Sequence, residues 1–313
     1  MHYKRLFLVI CCFALLSVFS FAHAAPSDWQ ASFTEHGMLY VSIQQDEGGA
    51  CLRDETGMPY APRGMAMAAL SQSDWLLNAQ AFDALCYDWQ CDIIRISVDS
   101  AIYAADEKML DKLEEAIALI TERGMYALIS WQGDMPSPLN PLNLSYGIEH
   151  GRLQSIRQQN PTYSGPQLFF SYIAATFGAQ GNILYEIYDG PNVSIAENSI
   201  FVWQSELYPY YEGVINAIRL SDPAGVILLN AADGGRLLDA PIAQPMQGEN
   251  ILYGVTLFAG DAQDDAIFAQ MEAAQQAGLA LFCTQRTLAQ ADGITAPTSP
   301  AMTTLLPFLR KNK

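Results

Sequence analysis

Short apolar runs alternate with longer stretches of helical periodicity from residue 61 to residue 284. The runs cover residues 61–67, 92–98, 125–131, 182–188, 225–230, 250–258 and 279–284. Runs of this length read as strands, and their near-continuous hydrophobicity is that of strands covered on both faces. Between them, residues 74–85, 107–123, 167–177, 205–220 and 264–277 read as helices. The clearest is 107–123, where Leu110, Leu113, Ile117 and Ile120 recur at helical spacing and Gly124 stands where a C-cap belongs. Alternation of strand and helix at this period predicts a parallel sheet with helices outside it.

Three stretches break the alternation. Residues 27–45 alternate weakly and Asp54 to Gly57 form a turn, which together predict a hairpin capping the domain. Residues 132–166 are rich in Pro, Asn, Ser and Gly and too long for an ordinary strand-to-helix connection, as functional loops often are. After Thr284 a single helix over 300–309 is expected, so the eighth strand of a closed barrel is missing or atypical. Residues 305–309 could supply it only with Pro307 inside a strand. Otherwise the barrel is open, with edges that something must cover.

The N-terminus changes the picture of where the chain works. Lys4 and Arg5 precede an unbroken apolar run over 6–22 that closes on Ala22-His23-Ala24, the pattern of a secretory signal peptide cleaved after Ala24. The run is short for a membrane span, and neither Cys11 nor Cys12 follows the small residue that lipoprotein processing needs. Residues 1–24 are thus read as the signal, and 25–313 as one exported domain, secreted or periplasmic, with no membrane attachment after cleavage. With 313 residues, half of them hydrophobic, the chain can bury one large core.

A formal charge of −17 without any cluster of Lys or Arg excludes nucleic acid as a partner. In an oxidising compartment a disulfide among Cys51, Cys86 and Cys91 is expected, since Cys86 and Cys91 flank a turn, while Cys283 reads as a buried thiol. The histidines, His2, His23, His36 and His150, show no metal-ligand spacing with the cysteines, so neither a metal nor a cofactor is predicted.

Residues 183–192, Ile-Leu-Tyr-Glu-Ile-Tyr-Asp-Gly-Pro-Asn, form an apolar strand ending in a turn. This segment resembles the strand that carries the catalytic acid in family 5 glycoside hydrolases, the cellulase-type enzymes. The resemblance runs with gaps from about residue 37 to 309. It includes Arg63-Gly64, Trp89 followed by Ile94-Arg95, the run 124–131, Phe169-Phe170, the run 182–187, the run 211–215, Ile218-Arg219 and Asp222-Pro223, all in the family's order. It implies a TIM (β/α)8-type barrel with its site at the C-terminal ends of the strands.

The departures bear on chemistry. Retaining glycoside hydrolysis needs two carboxyl groups about 5 Å apart, one as acid and one as nucleophile. By resemblance the acid/base position is Gly190, with no side chain, and the nucleophile position is Gln285, whose amide cannot supply a charged nucleophile. The family's supporting His and Tyr residues align with Ala68, Gln132, Thr256 and Phe258; its Asn before the acid is Asp189, and its Trp after the nucleophile is Arg286. Arg95 is retained, and a pair between Arg95 and Asp189 is expected. Glu186 reads as a structural carboxylate and Trp131 as core. Asp99, Asp134, Asp189 and Asp261 all fall at predicted strand ends, where they could in principle rebuild a site.

The function expected is that of a catalytically inactive, cellulase-like barrel. It would bind a polysaccharide or oligosaccharide through Arg95, Gln132, Asp189, Gln285 and Arg286, or a protein through the 132–166 loop. The alternatives are an active glycosidase on β-glucan with relocated carboxylates and a purely structural or interaction module.

Overall fold

A computed structural model describes residues 30–43, 49–67, 70, 74–106, 108–133, 151–189, 199–258 and 264–287. Nine strands are described: β1 (Tyr40–Ser42), β2 (Cys51–Arg53), β3 (Gly64–Met67), β4 (Ile93–Asp99), β5 (Tyr126–Gln132), β6 (Ile183–Glu186), β7 (Val226–Asn230), β8 (Ile251–Phe258) and β9 (Leu281–Thr287). β3 to β9 form one seven-stranded parallel sheet in chain order. All seven strands predicted from the apolar runs are present. Among the described residues the order starts at β3 and ends at β9, and the residues predicted to hold the eighth element lie outside the described set.

Each strand separates two environments by the alternation of its side chains. In β5, Ala127, Ile129 and Trp131 face the helices, while Leu128 points to the lumen. The helices that cover the outside include α4 (Met109–Thr121), α6 (Gly165–Phe177), α8 (Tyr208–Arg219) and α10 (Asp264–Gln276). Trp131 is core, as expected, packed at 4.7 Å from Phe169 of α6.

Helix boundaries differ from the periodicity for local reasons. α6 starts at Gly165 rather than 167 because Ser164 and Gln167 form a capping box and Pro166 suits the first turn. Residues 74–85 do not make one helix: Asp74–Leu76 is a 3-10 turn, and Asn78 caps a separate α2 (Ala79–Asp83), accepting from Ala81 N at 2.9 Å. The described part of the predicted 132–166 loop also contains a helix, α5 (Gln154–Gln159). Arg152 ties the turn before α5 to Asp111 and Glu114 of α4, at 2.6 and 2.5 Å.

The N-terminal end of the sheet is closed by a cap that is only partly the predicted hairpin. β1 and β2 do pair antiparallel, but Ser32–His36 is a helix, α1, where strand-like alternation was expected. Tertiary contacts decide this: Phe33 N donates to Gly124 O at 2.8 Å, the Phe33 ring meets Tyr126 edge-on at 5.8 Å, and Tyr126 OH donates to Gly37 O at 2.6 Å. Leu39, Ala50 and Leu52 of the cap join Tyr126, Leu128, Leu184, Leu228 and Leu252 in the apolar cluster that fills the lower lumen.

Two cysteine expectations are corrected. Cys283 is exposed, not buried, because β9 has no outer neighbour among the described strands. Cys86 and Cys91 are both buried and carry thiols, so no pair among Cys51, Cys86 and Cys91 is bridged as expected. Desolvation raises both buried thiols to about 11, which leaves them protonated and unreactive at neutral pH. Among the described residues no helix is long and apolar enough to cross a membrane.

Candidate functional site

Two residues above the leucine layer, the same lumen-facing positions become polar. Leu128 is followed by Ser130, Leu184 by Glu186 and Leu228 by Asn230, while Arg95 and Ser97 line β4. These side chains form one buried network. Arg95 Nε donates to Glu186 Oε2 at 2.6 Å, Nη1 to Ser97 Oγ at 3.2 Å and Nη2 to Ser130 Oγ at 3.0 Å. Asn230 Nδ2 donates to the other oxygen of Glu186 and to Tyr188 O, each at 2.8 Å. Glu186 is 0% exposed with both oxygens occupied, which makes it the structural carboxylate expected.

The expected pair between Arg95 and Asp189 is also present, with Nη2 to Oδ1 at 2.8 Å. Asp189 follows the end of β6, where its N–H donates to Trp131 O at 2.7 Å and holds it over the network. Its side chain, 21% exposed, is the member that reaches the mouth. Burial pushes the Asp189 carboxyl above its ordinary value, and the charge of Glu186 adds to this against the pull of Arg95. Burial alone would lower the Arg95 guanidinium, but Glu186 and Asp189 raise it, so it stays charged.

Glycine makes room for this layer. A Cβ at Gly254 of β8 would stand 2.2 Å from Asn230 Oδ1 and 2.8 Å from Thr284 Cγ2. Asn230 is 2% exposed, and its Oδ1 has no hydrogen-bond partner among the described residues. After β7 the chain turns through Asp233, Gly234 and Gly235, all left-handed at φ 57°, 63° and 80°. Gly235 approaches β8 so closely that a Cβ would stand 1.9 Å from Gly254 O, and only glycine fits. Gly234 O accepts from Thr256 N at 3.0 Å, fastening this loop to the mouth.

The remaining predicted positions are spread around the rim. Gln132 is exposed at the end of β5, beside Asp99 in the ladder. Asp99 spends its carboxylate on the N-terminus of α3 (Ser100–Ala105), accepting from Ala101 N and Ile102 N at 2.9 Å each. Gln285 is exposed on β9, in register with Thr256, and Arg286 pairs with Leu257 along the same ladder. Gly190, Ala68, Asp134 and Asp261 lie outside the described residues. Of the candidates, the structure brings together Arg95 and Asp189; Gln285 belongs to a strand separated from β6 by β7 and β8.

Ser97, Ser130 and Asn230 were not singled out from sequence, although each is a polar residue at an inward position of an apolar strand. Trp75 was missed too. It is 76% exposed on the connection between β3 and α2.

The sequence profile of Cellulase (glycosyl hydrolase family 5) matches residues 53–313. The chain belongs to glycosyl hydrolase family 5. Among its relatives, Cellulase CelDZ1 of Thermoanaerobacterium sp is 26% identical over 282 residues, covering 87% of this chain and 68% of the relative. Endoglucanase E-5 of Thermobifida fusca is 29% identical over 239 residues, covering 72% of this chain but 45% of the relative. The solved catalytic domain of Thermobifida fusca endoglucanase Cel5A (E5) superposes with a TM-score of 0.70 at 25% identity, over 90% of this chain and 84% of that one. The alkaline cellulase K catalytic domain shares the fold, with a TM-score of 0.71 at 24% identity, over 91% and 81%. A Glu-to-Gln variant of the Thermobifida fusca domain has been solved in complex with cellotetraose, at 25% identity, over 90% and 84%.

Family membership accounts for the barrel, with its site at the C-terminal strand ends. Within the described part of that site, Glu186 and Asp189 lie three positions apart on one chain segment and grip one guanidinium. Retaining chemistry requires instead two carboxyl groups on opposite sides of the scissile bond.

Proposed function

We propose that this chain is an exported member of glycosyl hydrolase family 5 that binds a glycan at the barrel mouth without hydrolysing it. The observation that carries the reading is the paired replacement at Gly190 and Gln285, the positions that by resemblance hold the acid and the nucleophile. The described mouth supports it, because Asp99 is committed to a helix cap and Glu186 is sealed beneath the floor. The cellotetraose complex of the Glu-to-Gln relative supports the reading as an example of a related barrel holding sugar with an amide in place of a carboxylate. Export rests on the segment 1–24 and is tested by locating the cleaved N-terminus of the expressed protein.

The decisive experiment incubates the purified protein with β-glucan, mannan and aryl glycosides and measures both turnover and affinity. Binding without turnover is expected. Turnover that disappears in Gln285→Ala would overturn the reading.

A second reading, residual hydrolysis, is favoured by the relatives' names and by one local observation. Asp189 adjoins the acid position, is partly exposed and holds its proton above the ordinary carboxylate range. Under that reading Asp189 is the general acid, and turnover would be present in the native protein and lost in Asp189→Asn. The third reading, a protein-binding module using the 132–166 loop, predicts no glycan affinity at all.

A further inference from the structure

We propose that the mouth prefers a cationic glycan, a 2-amino-2-deoxy sugar chain of the deacetylated chitin type, whose ammonium group donates to Asp189. This rests on the glycan reading above and narrows it to a ligand class. One guanidinium, Arg95, faces two carboxylates, Glu186 and Asp189, so the network carries an uncompensated negative charge. Glu186 has both oxygens satisfied within the floor. Asp189 gives Oδ1 to Arg95, and its Oδ2 accepts no hydrogen bond among the described residues. The excess charge is therefore expressed at the one partly exposed carboxylate of the network.

A second, independent feature of the floor also calls for a donor. Asn230 Oδ1 is buried, has no hydrogen-bond partner among the described residues and occupies the space that a side chain at Gly254 would fill. Asn230 belongs to the same network through Glu186. A buried acceptor without a donor is unfavourable, so a ligand that brings donors, directly or through a water it orders, relieves it. The floor thus offers acceptors and a negative charge, but no unspent cation, since every described guanidinium nitrogen of Arg95 is engaged.

A neutral sugar hydroxyl can donate to Asp189, but it leaves the net charge in place. An ammonium group supplies up to three donors and a compensating charge, and charge-assisted hydrogen bonds are the stronger kind. The family's neutral Asn at this position, as the sequence resemblance places it, would present no such charge. Asp189 is the departure that creates it.

The test is calorimetric titration of the purified full chain with three short oligomers of equal length: a glucosamine oligomer, its N-acetylated counterpart and a cello-oligosaccharide. Measurements are made below pH ~7, where an amine of the α-amino type is protonated. The glucosamine oligomer is expected to bind at least about tenfold more tightly, the fold-change of one hydrogen bond to a charged group. Asp189→Asn should erase that preference while leaving the weaker neutral binding. Glu122→Gln, which removes one carboxylate from an exposed position at the end of α4, should leave it unchanged and so controls for general attraction to an acidic protein. Equal affinity for all three oligomers overturns the inference but leaves the glycan reading standing. A preference that survives Asp189→Asn, or is lost equally in Glu122→Gln, also overturns it. Binding of none of the three overturns both. The comparison of oligomers on the unmodified chain decides the matter even where a variant folds poorly.

Discussion

The lower and upper halves of the barrel lumen are built from the same strands, two residues apart, and are opposite in chemistry. Below, Leu128, Leu184, Leu228 and Leu252 fill the space and the β1–β2 hairpin closes it. Above, Ser130, Glu186 and Asn230 stand on three of those four strands; Ser130 and Glu186 meet Arg95, which reaches up from β4, and Asn230 joins through Glu186. Moving by two positions keeps a side chain on the same face, so the change is one of depth, not of orientation. The lower layer is dry packing whose loss costs volume. The upper layer is a charge network whose members depend on one another.

The largest effect should come from breaking the upper layer singly. Arg95→Met leaves Glu186 and Asp189 without a cation and should cost about 3–5 kcal/mol in chemical denaturation, as removal of one partner from a buried pair does. Replacing Arg95, Glu186 and Asp189 together by apolar residues of similar volume should cost much less than Arg95→Met alone. Should the triple variant prove the less stable, the layer owes its stability to the pairs themselves.

In the lower layer, Leu184→Ala should cost about 2–5 kcal/mol through lost burial and the cavity left behind, with no dependence on pH. Gly254→Ala probes the border between the layers. The added methyl would displace Asn230 from Glu186, with a cost of about 1–3 kcal/mol typical of overpacking and a matching drop in Tm.

The smallest effect, and the one with a sign to check, is that of Asp189→Asn. Folded Asp189 holds its proton above its ordinary value of 3.8, so ionising it costs stability. That cost is absent below the unfolded value, sets in as the pH rises toward the folded value and is complete above it. Asp189→Asn should therefore raise Tm at neutral pH, and the gain should vanish on acidification. A variant less stable than the native chain at neutral pH would mean that the Arg95 bridge outweighs burial.

Much of this architecture was legible in the sequence because it depends on local periodicity. The apolar runs marked all seven parallel strands, and the spacing of Leu110, Leu113, Ile117 and Ile120 marked α4. The pair between Arg95 and Asp189 was legible from the resemblance. α1 was not, since a helix of five residues is marginal on its own and forms here because Phe33 docks on Gly124 and Tyr126. The exposure of Cys283 was not legible either, because a strand without an outer neighbour among the described residues carries the same apolar pattern as an interior one.

The sequence by itself determined the order of strands and helices, the family, and the side chains at Gly190 and Gln285, because each depends on residue identity and local spacing. Only the tertiary structure decided which polar groups share the floor. Arg95 meets Glu186 across 91 positions of chain, and Asn230 meets it across 44. Those meetings follow from the register of parallel strands, which is set by lateral hydrogen bonds and by the packing of whole layers, and no local pattern encodes it.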